Sequence, residues 1–280
     1  MDGVRLRIPD RVNRPAPPPR RSAHAERLLE YPDVASAGDA AFARRGLWDD
    51  FFRRRIGPAF NGRLILEIGC FDAGYLSTLA TRFPETGFVG VDWKCKAVCD
   101  GASHVAGLGL RNVALLHTKA QEVRRIFADG EVDEVWVFHP EPCDRPAELK
   151  NRLIAEPFLR DVHAVLRNGN STLSLKTDHP GYYQWVLGLL GLPEPAWFRT
   201  PSPGSPRLRR RDLMPSHLVP TANDAVLQRF TVRAHSPDFW NDPAALAHAS
   251  ARPFAGQATL FESRFLKKRL PIYYLELGKK

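Results

Sequence analysis

The sequence predicts an α/β protein built on a doubly wound, mostly parallel sheet. Three observations carry that reading. Short apolar runs recur along the chain, too short for helices and apolar enough for strands buried on both faces. Stretches of helical period separate them, the alternation that marks parallel strands joined by crossover helices. The runs end in acids or turn formers, Glu67 with Gly69, Asp92, Glu141, and Thr177 with Asp178, at the edge where open α/β sheets hold their ligands.

Residues 63–93, RLILEIGCFDAGYLSTLATRFPETGFVGVDW, organise the rest. Leu64, Ile65, Leu66 and Ile68 make a buried strand that runs into Glu67, Gly69 and a turn with Gly74. From Tyr75 the period changes, and Leu76, Leu79, Ala80 and Phe83 fall at helical spacing until Pro84 stops the helix. Gly87 opens a second strand, FVGV, closed by Asp92. In such a βαβ unit the tight turn lets backbone approach a ligand, and an acid about 20 residues on can accept both ribose hydroxyls. G-C-F-D-A-G lacks the middle glycine that admits a pyrophosphate, which argues against a dinucleotide.

A chain of 280 residues with 44% hydrophobic content can bury one sizeable core, and residues 41–280 read as a single domain. Residues 1–40 read as a basic, Pro/Arg-rich flexible tail, because arginines and a P-A-P-P-P run bury too little surface to offset the entropy of ordering. Forty Lys+Arg against 31 Asp+Glu, a formal charge of +9 and a pI near 9.6 point to a polyanionic partner such as nucleic acid. Cys70, Cys95, Cys99 and Cys143 are too scattered for a disulfide framework and lack neighbouring histidines, so they read as reduced thiols without a metal. No apolar run reaches the roughly 18 residues of a membrane span, and the amino terminus is charged where a signal peptide is apolar. The expectation is a cytoplasmic, monomeric protein with no membrane partner.

In chain order, residues 42–56 predict an amphipathic helix with Leu47, Phe51 and Phe52 on one side. Residues 94–108 read as a helix, 113–116 as a third strand, 120–127 as a helix and 135–138 as a fourth strand. That strand ends in F-H-P-E-P-C, where two prolines restrict the backbone and hold Glu141 in an extended turn at the ligand edge. Arg145, Lys150 and Arg152 follow, and a long amphipathic helix runs on to Leu166. A fifth strand at 171–176 finishes in Thr177 and Asp178, with a helix at 182–190 after it. Residues 193–221 are Pro-rich and carry Arg207, Arg209, Arg210 and Arg211, a basic loop that would track phosphates. Residues 230–234 read as a sixth strand and 271–277, PIYYLEL, as a closing antiparallel one.

Four separated stretches resemble one family, the bacterial-type tRNA guanine-N7 methyltransferases. They are E-I-G in the first loop, F-H-P-E-P-C with the basic residues after it, L-K-T-D at 175–178, and T-L-F-E-S-R-F followed by P-I-Y at 271–273. The resemblance implies a seven-stranded class I S-adenosylmethionine methyltransferase fold, Rossmann-like, with S-adenosylmethionine as donor and a guanine of tRNA as acceptor. It assigns Glu67 and Gly69 to the donor's methionine side, Asp92 to its ribose, and the strand-end position at Lys119 to its adenine. Glu141 takes the place of the family's catalytic aspartate, beside both donor and substrate. Arg145, Asp178, Thr259, Phe261 and Glu262 fall at substrate-contacting positions. The chain departs from the family at Glu141 for aspartate, Cys143 for tryptophan, Phe71 and Ala73 for loop glycines, and Lys119 for an aspartate. An ammonium has donors only and cannot replace a carboxylate that accepts the adenine amine.

Guanine N7 has a lone pair and no proton to lose, so methyl transfer needs alignment more than a general base. Carboxylates near the ring stabilise its developing positive charge and accept from its N1–H and amino group, the role open to Glu141, Asp178 and Glu262. Two other readings stay open from sequence alone: a divergent methyltransferase acting on another RNA or a small molecule, and a non-catalytic RNA-binding relative.

Overall fold

The computed structural model describes residues 23–200 and 208–280. Its strands are β1 Ala35–Ala37, β2 Leu64–Ile68, β3 Gly87–Asp92, β4 Val113–His117, β5 Glu134–Phe138, β6 Thr172–Thr177, β7 Phe230–Ser236 and β8 Tyr273–Lys279. The helices are α1 Ala23–Leu28, α2 Trp48–Ile56, α3 Gly74–Arg82, α4 Cys95–Gly107, α5 Val123–Ile126, α6 Glu156–Val165, α7 Pro180–Leu189, α8 Asp224–Arg229, α9 Pro243–Ala249 and α10 Leu260–Lys267.

The strands form one sheet in the order β1-β4-β3-β2-β5-β6-β8-β7. Pairing is parallel from β1 to β6, and β8 runs antiparallel to both β6 and β7. The chain therefore winds outward from β2 to β4, returns, and winds the other way from β5. This switch point sets the loops after β2 and β5 side by side at the carboxyl edge, where such sheets bind ligands.

Strand period explains the two cores. Leu64, Leu66 and Ile68 of β2 point to one face, packed with Phe52, Phe127, Phe158 and Val162 from α2, the turn after α5, and α6. Ile65 points to the other, with Leu76, Val98, Trp136 and Phe254. Every residue of β2, β3, β5 and β6 is buried, and each large side chain so enclosed contributes about 1.5–3 kcal/mol. Glu67 shares Ile65's face, so the alternation that fills the core also carries a carboxyl group into it.

Three sequence expectations change. The tail boundary at residue 40 moves back: residues 23–40 hold α1 and the edge strand β1, anchored by Leu28, Val34 and Ala35 in the second core. Averaging the composition over residues 1–40 hid these few apolar residues behind the arginines and prolines that precede them in sequence. Among the described residues the sheet consequently has eight strands rather than seven. The long helix expected up to Leu166 divides into a 3-10 segment, Pro146–Asn151, and α6, which starts afresh at Glu156 with Pro157 in its first turn. Residues 1–22 and 201–207, with six of the tail's seven arginines and Arg207 of the basic loop, lie outside the described residues.

The carboxyl-terminal strand carries a buried charge. Glu276 of β8 is fully enclosed and accepts from both arms of Arg252, at 3.0 and 2.7 Å, and from the Tyr274 hydroxyl at 2.9 Å. His248 Nε2 lies 3.1 Å away. Burial alone would raise the pKa of Glu276; the Arg252 hydrogen bonds and charge bring it below the usual range. Removing one partner of such a pair strands the other. Arg252→Met is expected to lower stability by about 3 kcal/mol, seen as a lower urea midpoint at constant slope; an unmoved midpoint would refute the pairing.

Candidate active site

The loop after β2 turns through left-handed backbone at Gly69 (φ 82°), Phe71 (φ 51°) and Ala73 (φ 55°). For non-glycine residues that conformation costs roughly 1–2 kcal/mol. Phe71 and Ala73, the two departures from loop glycines, thus keep the backbone shape glycine would adopt. Asp92 holds it there: Oδ2 accepts from the Phe71 amide at 3.0 Å and Oδ1 from the Lys94 amide at 2.8 Å. The Gly69 amide donates to the Val91 carbonyl at 2.7 Å. Gly101 of α4 is required for close approach, since a Cβ there would stand 2.9 Å from the Asp72 carbonyl oxygen. Asp92, expected as the ribose acid, sits at the end of β3 and braces the first loop, with a second lone pair on each oxygen still to use.

Glu67 lies beneath this loop, 5% exposed. Its Oε2 is buried and makes no hydrogen bond. Burial first, and then the charges of Asp92 and Asp72, push its pKa up to about 8, against a smaller pull from Lys176. Among the described residues the group is a carboxyl without a counter-ion.

Lys176 of β6 is committed elsewhere. Its Nζ lies 3.1 Å from Glu262 Oε1, with both side chains fully enclosed. The rings of Phe239, Phe254, Phe138 and Trp240 surround the ammonium at 4.7–5.2 Å, cation–π contacts that partly replace lost water. Burial draws the ammonium's pKa down while Glu262 opposes it. Glu262 would be raised by burial, but Lys176 foremost, with His139 and the Thr259 amide, holds it below the ordinary carboxylate value.

Glu262 and Thr259, expected as substrate contacts, are bonded to each other inside the fold. Glu262 Oε2 accepts from the Thr259 amide at 2.6 Å, and Thr259 Oγ1 accepts from the Glu262 amide at 3.0 Å, the reciprocal capping box that starts α10. The Trp240 indole donates to Glu262 Oε1 at 3.2 Å. Both carboxylate oxygens are engaged inside the fold. T-x-x-E is itself a helix-start signature, so this role was readable.

Phe261, between them, points outward. It is 42% exposed, with Phe71 of the first loop 43% exposed and edge-on at 6.5 Å. His139, which follows β5, lies 6.2 Å from Phe261 and stacks on Phe265 at 6.0 Å. The register that pairs Phe138 with Lys176 brings His139 beside the end of β6, and His139 Nδ1 lies 3.2 Å from Asp178 Oδ1. Its Nε2 is buried without a hydrogen-bond partner. Asp178 also accepts from Arg209 at 2.7 Å; burial would raise its pKa, but the His139 and Arg209 interactions keep it below the usual range. His139 was not singled out in the sequence, because its left-handed backbone (φ 53°) and a cross-strand neighbour leave no local pattern; Phe71 was read there only as a departure from a loop glycine, and Arg209 only as part of a basic loop.

Glu141 is exposed in the turn between Pro140 and Pro142, two residues past His139 and so on the same edge. Arg152, 3% exposed, fixes that turn by donating to the Pro142 carbonyl at 2.9 Å and the Gly181 carbonyl at 3.1 Å. Arg145 is exposed and pairs with Glu148. Lys119 stands after β4 with Trp93, His117 and Thr118, lining a hollow of about 350 Å³. The structure thus brings Glu67, Asp92, Phe261 and Asp178 to one edge, leaves Glu141 and Lys119 on its rim, and takes Thr259 and Glu262 inside.

Strand order, the single reversed strand β8 and the braced loop at the switch point define the fold as that of the class I methyltransferases. Residues 61–194 match a family model described as "Putative methyltransferase". The chain is 34% identical to the tRNA (guanine-N(7)-)-methyltransferase of Porphyromonas gingivalis over 59% of its own length and 65% of that protein. It is 32% identical to the enzyme of the same description from Christiangramia forsetii, over 54% of this chain and 65% of that one. A solved structure, "Structure of an Antibiotic Related Methyltransferase", is 13% identical, with a TM-score of 0.49 over 84% of this chain and 95% of that one. The chain is thus similar over part of its length to tRNA (guanine-N(7)-)-methyltransferases and spans about 65% of the length of the two it matches here.

Lys176→Met would leave Glu262 buried without its cation, at an expected cost of about 3–5 kcal/mol near neutral pH. Because the folded pKa of Glu262 is lowered, its stabilisation is present above the ordinary value of 4.5 and lost as pH falls through the folded value. The gap between variant and parent should therefore shrink below about pH 4.5; a gap constant from pH 3 to 7 would contradict the ion pair.

Proposed function

We propose that the chain transfers a methyl group from S-adenosylmethionine to N7 of a guanine in tRNA. The observation that carries the reading is the buried, unpaired Oε2 of Glu67 at the switch point. The donor has a cationic amino group at its methionine end, and Glu67 is the carboxyl placed to receive it. Asp92 would take the ribose hydroxyls with its remaining lone pairs. Trp93 and Lys119 would border the adenine, where Lys119 can donate to a ring nitrogen and the exocyclic amine must find a backbone carbonyl. The retained left-handed loop supports a working donor site over an eroded one.

Bound there, the donor supplies an electrophilic methyl on sulfur. The chain's own contribution is to align acceptor and methyl and to exclude water. Phe71 and Phe261 offer aromatic edges at the mouth, suited to an unstacked base. Asp178, kept ionised by His139 and Arg209, faces the charge that grows on the guanine ring. Glu141, fixed by Pro140, Pro142 and Arg152, is the candidate catalytic carboxylate on the rim. The basic balance of +9 suits a tRNA partner, and among the described residues no helix is long and apolar enough to cross a membrane.

Incubation with labelled donor and unmodified tRNA, followed by borohydride and aniline, should cleave at N7-methylguanine. Label in tRNA without aniline cleavage would move the reaction to another atom, and no label would refute methyl transfer to tRNA. Glu141→Gln is expected to lower turnover by about 100-fold or more with binding of S-adenosylhomocysteine retained; parental turnover would remove Glu141 from the site.

A further inference from the structure

The sequence reads 207–211 as one basic run, and the structure divides it. Arg209 is committed: it donates to the Asp178 carboxylate at 2.7 Å and carbonyl at 2.9 Å and pairs with Asp212 at 2.9 Å. Arg211 reaches the same Asp212 at 3.5 Å. Arg210 and Lys268 are exposed and have no acidic partner among the described residues. They come from segments far apart in sequence, yet both line one cavity of about 520 Å³ with Arg209, Arg211, Phe265 and Leu208.

This cavity adjoins the candidate active site through one ring. Phe265 lies under the Arg209 guanidinium at 5.6 Å and stacks on His139 at 6.0 Å. Uncompensated cations over an aromatic wall are the features that hold single-stranded nucleic acid, with phosphate on the charges and a base or ribose on the ring. The volume exceeds what a phosphate alone fills, and Phe265 and Leu208 give it an apolar side.

We propose that this cavity seats the backbone of the RNA strand next to the target guanine, with Arg210 and Lys268 on its phosphates and Phe265 against the adjoining base or ribose. The proposal rests on the reading of the chain as an RNA methyltransferase and extends it to Lys268, on α10's carboxyl end, and to a division of labour in the loop. Arg209 and Asp178 position His139; Arg210 and Lys268 hold the strand.

The test uses the full chain and an unmodified tRNA transcript. Binding is measured from 50 to 200 mM salt for the parent, for Arg210→Ser with Lys268→Ser, and for the charge-keeping pair Arg210→Lys with Lys268→Arg. The serine pair should bind about tenfold more weakly at low salt and lower the slope of log affinity against log salt by about 1–2. The charge-keeping pair should restore the slope, and S-adenosylhomocysteine binding should not change in either. A serine pair with the parental slope would overturn the proposal. If the parent transfers no methyl to tRNA but the slope still falls, the phosphate seat stands and the guanine-N7 reading falls with its own assay.

Discussion

One buried cation stands among more carboxyl groups than it can serve. Lys176 enters the second core from β6 and pairs with Glu262 at 3.1 Å, with four aromatic rings about its ammonium. Glu67, on β2, stays buried with an oxygen that bonds to nothing, and its pKa rises to about 8. The Lys176 pair fixes α10 against the sheet and carries Phe261 and Phe265 to the rim. The unserved Glu67 makes the switch point one positive charge short. On the proposed reading, the ammonium of the methyl donor completes it.

The surrounding geometry follows from that arrangement. Asp92 ties the first loop to the end of β3, which keeps Phe71 facing Phe261 across the mouth. Left-handed residues cluster at the same edge, Phe71 and Ala73 after β2 and His139 and Cys143 after β5. Such conformations persist only where neighbours over-determine them, and here the neighbours are the Asp92 carboxylate and the Arg152 guanidinium. Strain and charge shortage occupy one rim of an otherwise well-packed sheet.

Much of the fold was legible because strands buried on both faces are written as apolar runs. β2, β3, β5 and β6 announce themselves that way, and Asp92 and Glu67 are strand-end acids found by position. β1 was not legible: Ala35, Ser36 and Ala37 make no apolar run and are small residues between turn formers, Pro32 and Asp33 before and Gly38 and Asp39 after. The site was legible where one strand suffices and obscure where two must meet. Family position placed Glu262 and Thr259 at the guanine, whereas the spacing T-x-x-E spelled a capping box and Lys176 lay unread across the sheet. His139 acquires meaning only beside Asp178, through the β5 and β6 register.

The most direct test of the missing charge is proton release on binding. S-adenosylhomocysteine carries the same amino group as the methyl donor, and Glu67, with a pKa of about 8, is largely protonated at pH 7 before a cation arrives. Calorimetric titration at pH 7 in buffers of different ionisation enthalpy counts the protons lost. The expected result is binding with about one proton released per ligand, absent in Glu67→Gln; binding with no net proton transfer in the parent would contradict the account.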